Sequence, residues 1–537
     1  MKIGTYVEQS IDHEMSANII DLCPVGALNN KPYRYSARAW EMIQHEAVSP
    51  HDCVGSNMYA HVLRGTVKRI VPRSNEAINE TWLADRDRFS YEGIYSPDRL
   101  QKPQLKENGE WRDAEWEEAL DKLAGVLGNA AGDKIGFLAS PSVTLEEAWL
   151  TARLAEHLGT SNLDHRVGRR DFSNQDADPI YPYLGCDIAD LEQQGAILVV
   201  GSNIRHEAPI LAHRLRKASL NGASISFANS EPYEYFFDVA NYLSGAGLVE
   251  MLAGVAVAAN GNKKLPANIA DLCDGVKPSD DQKSVAAALQ DAEGGLVLLG
   301  NIASRHGAFA ALRDLAAFIA ATTGTKLGFI SHGANSAGAH LAGVLPHRAA
   351  GGKVRSDQGL DAAAMATANL DALLLLNVEP GADIDVEQQG FVAALTPFDS
   401  ETLRETADLL LPIGTFAETS GTYVNVAGTW QSFAGVASPV GEARPAWKVL
   451  RVLGNLVDAD DFEYVSSEDV CDEAAAAVGE LAASNEINSD AKHAAPNGAD
   501  AVSDQVDVPI YEVDAIVRRA AALQMTVEAK RSRASDE

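Results

Sequence analysis

The sequence has 537 residues, of which 46% are hydrophobic and 22% charged, and its formal net charge is −31. This length predicts about three or four globular domains, and no run of 18 apolar residues is present that could span a bilayer. The negative charge argues against nucleic acid and anionic lipid as partners, since both attract clustered lysine and arginine.

The five cysteines are widely scattered and form no C-x-x-C pair, which is typical of a reducing compartment and excludes a disulfide framework. They are Cys23, Cys53, Cys186, Cys273 and Cys471. The first residues contain no apolar signal region and enter structured-looking sequence at once. We therefore expect this chain to be part of a longer protein.

The N-terminal hundred residues predict a short helix and a β-hairpin. Apolar residues at helical spacing indicate a helix over 10–20, which the run 21–28 ends. Strands over 58–63 and 66–71 are joined by a tight turn. The arginines clustered over 64–99 are predicted either to face a partner protein or simply to be solvated.

From about residue 115, short apolar runs alternate with helical segments. A capping box of Thr144 and Glu147 opens one such helix, expected to end near residue 157. Continuous apolar strands separated by helices indicate a parallel sheet covered on both faces. The sequence therefore predicts a doubly wound α/β body. The predicted strands lie at 135–139, 196–200, 224–228, 296–299, 327–330 and 372–376.

The C-terminal part is predicted to change character three times. Residues 421–435 have β character and a helix follows over 446–457. The segment 458–507 contains 14 acidic residues against one lysine, which is typical of a solvated spacer. A single amphipathic helix is expected over 510–523.

Several motifs of the α/β body occur together in one family. They are Val-Val-Gly-Ser-Asn at 199–203 with Pro209 and Arg214-Leu-Arg216, then Asn335, Gly338 and Pro346, then Ala-Asp-Leu-Leu-Leu-Pro at 407–412, Glu-Thr-Ser-Gly-Thr-Tyr-Val-Asn at 418–425, Gly428, Gln431, Gly-Glu-Ala-Arg-Pro at 441–445 and Trp447. Over roughly residues 40–455 the chain resembles the molybdopterin oxidoreductases, whose α/β domains cradle a pterin cofactor.

Members of that family often hold a [4Fe–4S] cluster on four cysteines, spaced C-x2-C-x3-C-x27-C, in a small β domain before the α/β body. Aligned through 54–57 and 82–89, the ligand positions correspond here to Ser49, Asp52, Ser56 and Ala84. Cys53 lies one residue away from that register. Because clusters need thiolates, we predict an empty site, and because no molybdenum ligand is recognisable, no molybdopterin.

The remaining motifs resemble a narrower family, the large iron–sulfur subunits of NADH–quinone oxidoreductases. They are Ile-Gly-Thr-Tyr at 3–6, Ile-Ile-Asp-Leu-Cys-Pro-Val-Gly-Ala-Leu at 19–28, Lys-Pro-Tyr at 31–33, Ile-Asn-Glu-Thr-Trp at 78–82, Asp-Arg-Asp-Arg-Phe-Ser-Tyr-Glu-Gly at 85–93, and Tyr-Glu-Val-Asp at 511–514 with Arg518 and Arg519. With them the resemblance extends from residue 3 to about 526.

This second resemblance assigns a role to Cys23. In that family the cysteine of the Cys-Pro-Val-Gly-Ala-Leu motif is the last ligand of a [4Fe–4S] cluster, and a C-x2-C-x2-C run roughly forty residues upstream supplies the other three. The resemblance thus implies one cluster ligand here and three that this sequence lacks. Without it, a lone cysteine before proline is more often a small buried hydrophobe.

The resemblance implies an electron-transfer subunit and scaffold with no independent activity and no catalytic residue. The complex would pass electrons from NADH through FMN and iron–sulfur clusters to quinone, coupled to proton translocation. Partners would be other peripheral-arm subunits, including the FMN- and NADH-binding one, on the cytoplasmic side of a bacterial inner membrane or the mitochondrial matrix side. No nucleic acid and no membrane insertion are expected. An active molybdopterin enzyme, such as a formate dehydrogenase, and a purely structural protein remain alternatives.

The motifs also predict how the chain divides. The expected parts are the end of an iron–sulfur domain over 1–40, a degenerate [4Fe–4S] β domain over 41–100, molybdopterin-oxidoreductase-like α/β domains over 101–410, a C-terminal β-rich block and helix over 411–457, an acidic linker over 458–507, and a docking helix and tail over 508–537.

Overall fold

The computed structural model describes residues 13–387, 389–493 and 509–536. The first predicted motif, at 3–6, and the start of the predicted helix over 10–20 lie outside these ranges. So do residues 494–507 of the acidic segment.

The strands, numbered in chain order, form four sheets. They are β1 (Ile43–Val48), β2 (Asn57–Leu63), β3 (Thr66–Pro72), β4 (Gln104–Glu107), β5 (Glu110–Asp113), β6 (Ile135–Ala139), β7 (Leu163–Asp164), β8 (Ala196–Val200), β9 (Ser224–Ala228), β10 (Asn241–Leu243), β11 (Gly295–Leu299), β12 (Lys326–Phe329), β13 (Ala372–Leu376), β14 (Val392–Thr396), β15 (Leu409–Pro412), β16 (Gly421–Val424) and β17 (Trp430–Phe433).

The α-helices are numbered in the same way. They are α1 (Ile19–Leu22), α2 (Asp85–Phe89), α3 (Trp116–Asn129), α4 (Leu145–His157), α5 (Ile204–Glu207), α6 (Pro209–Leu220), α7 (Leu248–Asn260), α8 (Asp280–Asp291), α9 (Asn301–Ser304), α10 (Phe309–Thr323), α11 (Ser336–Ala342), α12 (Ala362–Thr367), α13 (Glu401–Thr406), α14 (Ala446–Leu456), α15 (Ser467–Val478), α16 (Ala515–Arg518), α17 (Ala521–Gln524) and α18 (Val527–Asp536).

Two large sheets form the body, and both are wound in two directions. The five-stranded sheet is parallel throughout, in the order β10-β9-β8-β11-β12. The seven-stranded sheet has the order β5-β4-β15-β14-β13-β6-β7 and is parallel except for the hairpin β4–β5 at its edge. The predicted α/β class is confirmed, with every predicted strand present within a residue or two of its expected bounds.

The central strands are apolar along their length because helices cover both faces. In β8, Leu198 and Val200 pack in one hydrophobic cluster with α7 and α10, while Ile197 and Val199 pack in the opposite cluster with α6. Strands buried on two sides lose the alternation of apolar and polar residues. None of the described helices combines the length and apolar character needed to traverse a bilayer.

The small N-terminal sheet is antiparallel, in the order β1-β2-β3, and contains the predicted hairpin. Arg64 and Gly65 both have positive φ, 51° and 77°, as a tight two-residue hairpin turn requires. The second predicted β region is confirmed as the β16–β17 hairpin.

The predicted helix over 10–20 is wrong over most of its described part. A single 3-10 turn covers Ser16–Asn18, and the α-helix begins only at Ile19. The Ala17 N–H donates to Asp85 Oδ1 at 2.9 Å, and Asn18 Nδ2 donates to the Leu83 carbonyl at 2.7 Å. Tertiary partners therefore take hydrogen-bonding groups that a longer helix would have used internally.

The arginines over 64–99 are not generally solvated, nor free to face a partner. Three of them have side chains at most 1% exposed and form internal ion pairs. Burial forces such pairing, because an uncompensated charge inside a protein is costly. The pairs are Arg86–Asp52, Arg88–Asp21 and Arg99–Glu418.

The predicted solvated spacer is wrong for its first half. Ser466 caps α15, and the buried Val470 and Ala474 of that helix pack in the same core cluster as α4. Apolar residues at i and i+4 give this acidic helix one buried face. Further on, Asn485 Nδ2 donates to the Tyr183 and Leu327 carbonyls at 2.6 and 2.8 Å, so this stretch is also tied to the body.

The predicted C-terminal helix over 510–523 is replaced by the short helices α16 and α17, joined through the extended Ala520. Asp514 caps α16 by accepting the N–H groups of Ile516 and Val517. Its other carboxylate oxygen lies 2.5 Å from Nδ1 of the buried His51. The break allows the segment to follow the surface of the N-terminal β domain.

Glu379 also holds this segment. It accepts hydrogen bonds from Arg518 Nη2 at 2.9 Å and Arg519 Nη2 at 2.7 Å. Burial alone would raise the pKa of Glu379, but the hydrogen bond from Arg519 and the charge of Arg518 outweigh it and lower the pKa from 4.5 to about 2. The contribution to stability is complete above pH 4.5 and is lost as the pH falls towards 2.

Glu379→Gln is expected to weaken this attachment at neutral pH. Charged hydrogen bonds contribute about 1.5–3 kcal/mol, so trypsin should cleave after Arg518 and Arg519 at least about tenfold faster than in the unmodified chain. Glu401→Gln, at an exposed carboxylate on α13, is the control and should leave the cleavage rate unchanged. Equal rates in all three proteins would show that Glu379 does not hold the segment.

Candidate iron–sulfur and cofactor sites

Cys23 follows the last turn of α1, where the chain reverses direction. Its φ of −78° is extended, Pro24 prevents the helix from continuing, and the Gly26 N–H donates to the Cys23 carbonyl at 3.2 Å. Gly26 has a φ of +63°, a conformation that glycine adopts without strain. The turn leaves the Cys23 side chain partly exposed.

The Cys23 sulfur lies among backbone donors. Its pKa is lowered from 9.0, first by a backbone hydrogen bond from Leu28 and then, against slight desolvation, by those of Ala27, Val25 and Gly26. N–H groups around a sulfur favour the thiolate, the form that binds iron. The sequence motif that singled out Cys23 therefore builds a local electrostatic site.

The other four cysteines have the opposite environment. Burial raises the pKa of Cys53 and of Cys186 to about 12, that of Cys273 to about 11, and that of Cys471 above its usual value. A buried thiol behaves as a small hydrophobic group. Among the five cysteines, Cys23 alone is held in conditions that favour a metal ligand.

Ion pairs and hydrogen bonds fix the segment that carries Cys23 to the body. Asp85 accepts from Ser16 Oγ at 2.7 Å and from the Ala17 N–H at 2.9 Å. Arg205 binds both carboxylate oxygens of Glu14, at 2.9 and 2.8 Å. These contacts are part-buried or buried, so they orient the turn better than exposed pairs would.

Large apolar side chains surround Cys23 on the surface. Five of them lie between residues 22 and 43, and a concentration of this kind marks an interaction surface rather than ordinary scattered exposure. We call this surface the Cys23 face; its members are Leu22 (61% exposed), Val25 (81%), Tyr35 (94%), Trp40 (81%) and Ile43 (66%).

The isolated chain offers a direct check on the Cys23 thiol. We expect iodoacetamide at pH 7.5 to label Cys23 before Cys471, because the N–H groups favour the reactive thiolate at Cys23 while burial opposes it at Cys471. Mass spectrometry of the tryptic peptides measures both rates. Equal labelling of the two, or faster labelling of Cys471, would contradict the thiolate assignment.

The four predicted degenerate positions lie together in the N-terminal β domain. The Ser49 N–H donates to the Ser56 carbonyl at 2.9 Å, and Ser49 Oγ donates to Asp87 Oδ1 at 2.7 Å, next to Ala84 at the start of α2. Ser49, Ser56 and Ala84 are fully buried, and Asp52 is 3% exposed.

A buried arginine now dominates this site. Arg86 Nη2 donates to Asp52 Oδ2 at 2.6 Å and to the Glu207 carbonyl at 2.8 Å, and Nη1 donates to the His206 carbonyl at 2.9 Å. Burial would lower the pKa of Arg86, but the charges of Asp52 and Asp87 outweigh it and raise the pKa. The polar network provides charge pairing inside the domain.

These residues do not fit a [4Fe–4S] cluster. None of the four positions carries a thiol, and the neighbouring Cys53 packs in an apolar cluster and hydrogen-bonds Ser331. Serine and aspartate do not replace the thiolate set that such clusters need. No part of the protein's chemistry can be assigned to iron at this position.

A cavity lies where strands of the two large sheets end. It is lined by residues that follow β6, β7 and β12, among them Pro141, His165, Arg166, Ile330 and His332, and its volume is about 100 Å³. Cofactor pockets usually measure about 300–1,000 Å³, and no cysteine lines this one. The described residues contain no group of three or more His, Cys, Asp or Glu placed to hold a metal ion.

The cavity therefore does not fit a pterin dinucleotide or a thiolate-bound molybdenum. The absence of molybdopterin stays a prediction.

Sequence reasoning missed the residues that replace the cluster. His51 bridges Asp514, 463 positions away in sequence, and Ser90, which its Nε2 meets at 2.7 Å. Arg86 was noticed only as one of a basic stretch. No local pattern announces a contact of such sequence separation, although a buried arginine in an aligned cluster domain is a signal worth testing.

Three family models match the sequence. One described as molybdopterin oxidoreductase matches residues 99–456. One described as NADH-ubiquinone oxidoreductase NDSU1/NuoG-like, 4Fe-4S domain, matches residues 43–92. One described as NADH-quinone oxidoreductase subunit 3, ferredoxin-like domain, matches residues 1–29, which include Cys23.

Curated relatives carry related names. The mitochondrial NADH-ubiquinone oxidoreductase 78 kDa subunit of Candida albicans is 30% identical over 463 residues, or 86% of this chain and 59% of that protein. A NADH-quinone oxidoreductase subunit of Rickettsia felis is 37% identical over 237 residues, 43% and 35% respectively, and its namesake from Rickettsia typhi is 27% identical over 472 residues, 86% and 62%. The chain spans less than two thirds of the length of these relatives.

Among solved structures, acetylene hydratase from Pelobacter acetylenicus superimposes with a TM-score of 0.58 at 14% identity, covering 79% of this chain and 70% of that one. At this identity the likeness concerns the fold alone. Both resemblances read from the motifs are confirmed by the matched models and the names of the relatives.

Proposed function

The chain belongs to the molybdopterin oxidoreductase family, and from that membership we propose that it is the large iron–sulfur subunit of a NADH–quinone oxidoreductase. In this role the α/β body is a scaffold, and the substituted positions Ser49, Asp52, Ser56 and Ala84 hold no cluster. The domain division predicted from the motifs, from the iron–sulfur end over 1–40 to the docking segment over 508–537, is part of the proposal.

The observation that carries the proposal is the Cys23 thiol, which receives backbone hydrogen bonds within the stretch matched to a ferredoxin-like domain. Cys23 would supply one thiolate to a [4Fe–4S] cluster, and three further thiolates would come from outside this sequence. Such a cluster supplies one-electron transfer. The chain's own contribution is to hold the sulfur ionised and to fix it against α2.

The Cys23 face would meet the rest of the complex. Its exposed Trp40 and Val25 are suited to burial against a partner subunit. The partners would be the other subunits of the peripheral arm, including the one that binds FMN and NADH. The complex would pass electrons from NADH to quinone, coupled to proton translocation. This chain would lie on the cytoplasmic side of a bacterial inner membrane, or on the matrix side of a mitochondrial one.

Purification of the tagged protein from its native cells tests this function. We expect it to copurify with a flavin-containing subunit and with NADH:quinone reductase activity. Val25→Asp, in the Cys23 face, should abolish copurification. Val354→Asp, at a position 83% exposed elsewhere on the body, should not. A protein that purifies alone, or with molybdenum and formate dehydrogenase activity, would contradict the proposal.

A further inference from the structure

We propose that the cavity between the two large sheets binds a small tetrahedral oxyanion of phosphate size. Ligands of open α/β folds commonly bind at the carboxyl ends of parallel strands. Here His165 and Arg166 follow β7, and Ile330 and His332 follow β12, so the cavity has this location in both sheets. It goes beyond the electron-transfer role and does not depend on it.

Two arginines with unused donors line the cavity. Arg166 has a side chain 7% exposed, and its Nε and Nη2 are bound to Asp164 at 2.8 and 2.7 Å. Arg169 has a side chain 8% exposed, and its Nη1 donates to Asp178 at 2.5 Å. Within the described residues, Arg166 Nη1 and Arg169 Nη2 have no hydrogen-bond partner.

Unsatisfied guanidinium groups are rare in protein interiors, because burial removes their water without replacing it. The remaining donors are therefore the strongest indication of a missing acceptor. An oxyanion accepts charge-assisted hydrogen bonds from two guanidinium groups more effectively than water does.

The charge around the cavity points the same way, although the whole chain carries a net charge of −31. Among the described residues, three buried arginine side chains pair with three carboxylates. A fourth, Arg348, forms its hydrogen bonds with backbone carbonyls instead, those of residues 176, 178 and 179. The set comprises Arg166, Arg169, Arg313 and Arg348 with Asp164, Asp178 and Asp314.

Titration agrees with this excess of positive charge. Burial, followed by repulsion from Arg166 and Arg313, lowers the pKa of Arg169, although Asp178 acts in the opposite direction. Burial and the charge of Arg305 lower the pKa of His332 to about 3. His332 is therefore neutral at physiological pH and adds no charge of its own, while a bound anion would relieve the repulsion among the arginines.

The size and remaining lining of the cavity restrict the ligand. A volume of about 100 Å³ corresponds to a few water molecules and is too small for a nucleotide. Hydroxyl groups of Ser304, Ser331 and Ser336 line it beside the aromatic rings of Phe309 and Phe329. Hydroxyl and guanidinium donors in one small space suit an ion such as phosphate or sulfate.

Titration calorimetry of the isolated chain with inorganic phosphate, at constant ionic strength maintained with chloride, tests the site. We expect about one phosphate per chain and a rise in the thermal midpoint that saturates with binding. Sulfate should compete. Glycerol phosphate distinguishes the source of the ion: its binding indicates a phosphorylated metabolite, and its exclusion indicates a free ion.

Arg169→Gln should weaken phosphate binding at least about tenfold, while Arg112→Gln, at an exposed arginine paired with Glu107 and Glu118, should bind as the unmodified chain does. If Arg169→Gln does not fold, Arg305→Gln at the same cavity provides the same comparison. No heat of binding at millimolar phosphate, or equal affinity in the cavity variants and the control, would overturn the proposal.

Discussion

Replacing Arg86 with alanine is expected to lower the free energy of unfolding of the N-terminal β domain by about 3–5 kcal/mol. The Arg86 side chain is 0% exposed and that of Asp52 is 3% exposed. Removing the guanidinium leaves the Asp52 carboxylate buried without its partner, and also leaves the carbonyls of His206 and Glu207 without their donor. Urea unfolding followed by tryptophan fluorescence measures the loss.

Two further variants define the cause of that loss. Arg112→Ala removes an arginine whose ion pairs are exposed, and should change stability by no more than about 1 kcal/mol. The double variant Arg86→Met, Asp52→Leu removes both charges and should recover most of the loss, because apolar replacements of a buried pair are often neutral. A double variant as unstable as Arg86→Ala alone would show that the damage comes from packing rather than from an unpaired charge.

Replacing Cys23 with alanine is expected to reduce NADH:quinone reductase activity of the purified assembly at least about tenfold. The substitution removes the one thiol whose surroundings favour a thiolate. NADH oxidation by a soluble artificial acceptor, which takes electrons at the flavin, should persist. That retained activity separates a defect at Cys23 from general failure of the assembly.

Cys471→Ala is the matched control for Cys23→Ala, since both cysteines are partly exposed. Burial raises the pKa of Cys471 and its sulfur contacts Thr422 Oγ1 at 3.5 Å, so we expect full quinone reductase activity in this variant. Unchanged activity in Cys23→Ala, or an equal loss in both variants, would contradict the role given to Cys23.

Periodicity predicted the α/β body well because its central strands are continuous apolar runs. The run over 196–200 became β8 with the predicted bounds, and the capping box of Thr144 and Glu147 opens α4 as expected. The missed strand β14 has the sequence Val-Ala-Ala-Leu-Thr, whose alanines suit a helix as well as a strand. Its pairing with β13 decides the matter, and that contact is not local.

Composition is misleading where a few apolar residues outweigh many charged ones. The acidic helix α15 packs through Val470 and Ala474, although its exposed residues are largely carboxylates. At the C-terminus, the helical pattern was real but Asp514, Arg518 and Arg519 each bind a distant partner. Those contacts favour two short helices over one long one, and only the folded chain reveals them.

The candidate sites divide in the same way. Cys23 and the four substituted positions follow from motif spacing, because their chemistry depends on residue type. The Arg86 network and the arginine-lined cavity depend on side chains from separate elements meeting in space, as when Arg86 reaches the carbonyls of residues 206 and 207. Sequence spacing contains no information about those meetings.

The central claim is that Cys23 binds iron, and low-temperature electron paramagnetic resonance of the dithionite-reduced assembly tests it most directly. In Cys23→Ser we expect the loss or marked shift of one [4Fe–4S] signal, with a matching fall in iron content if the cluster is lost, while Cys471→Ser retains every signal. A spectrum and iron content in Cys23→Ser identical to those of the unmodified assembly would contradict the claim.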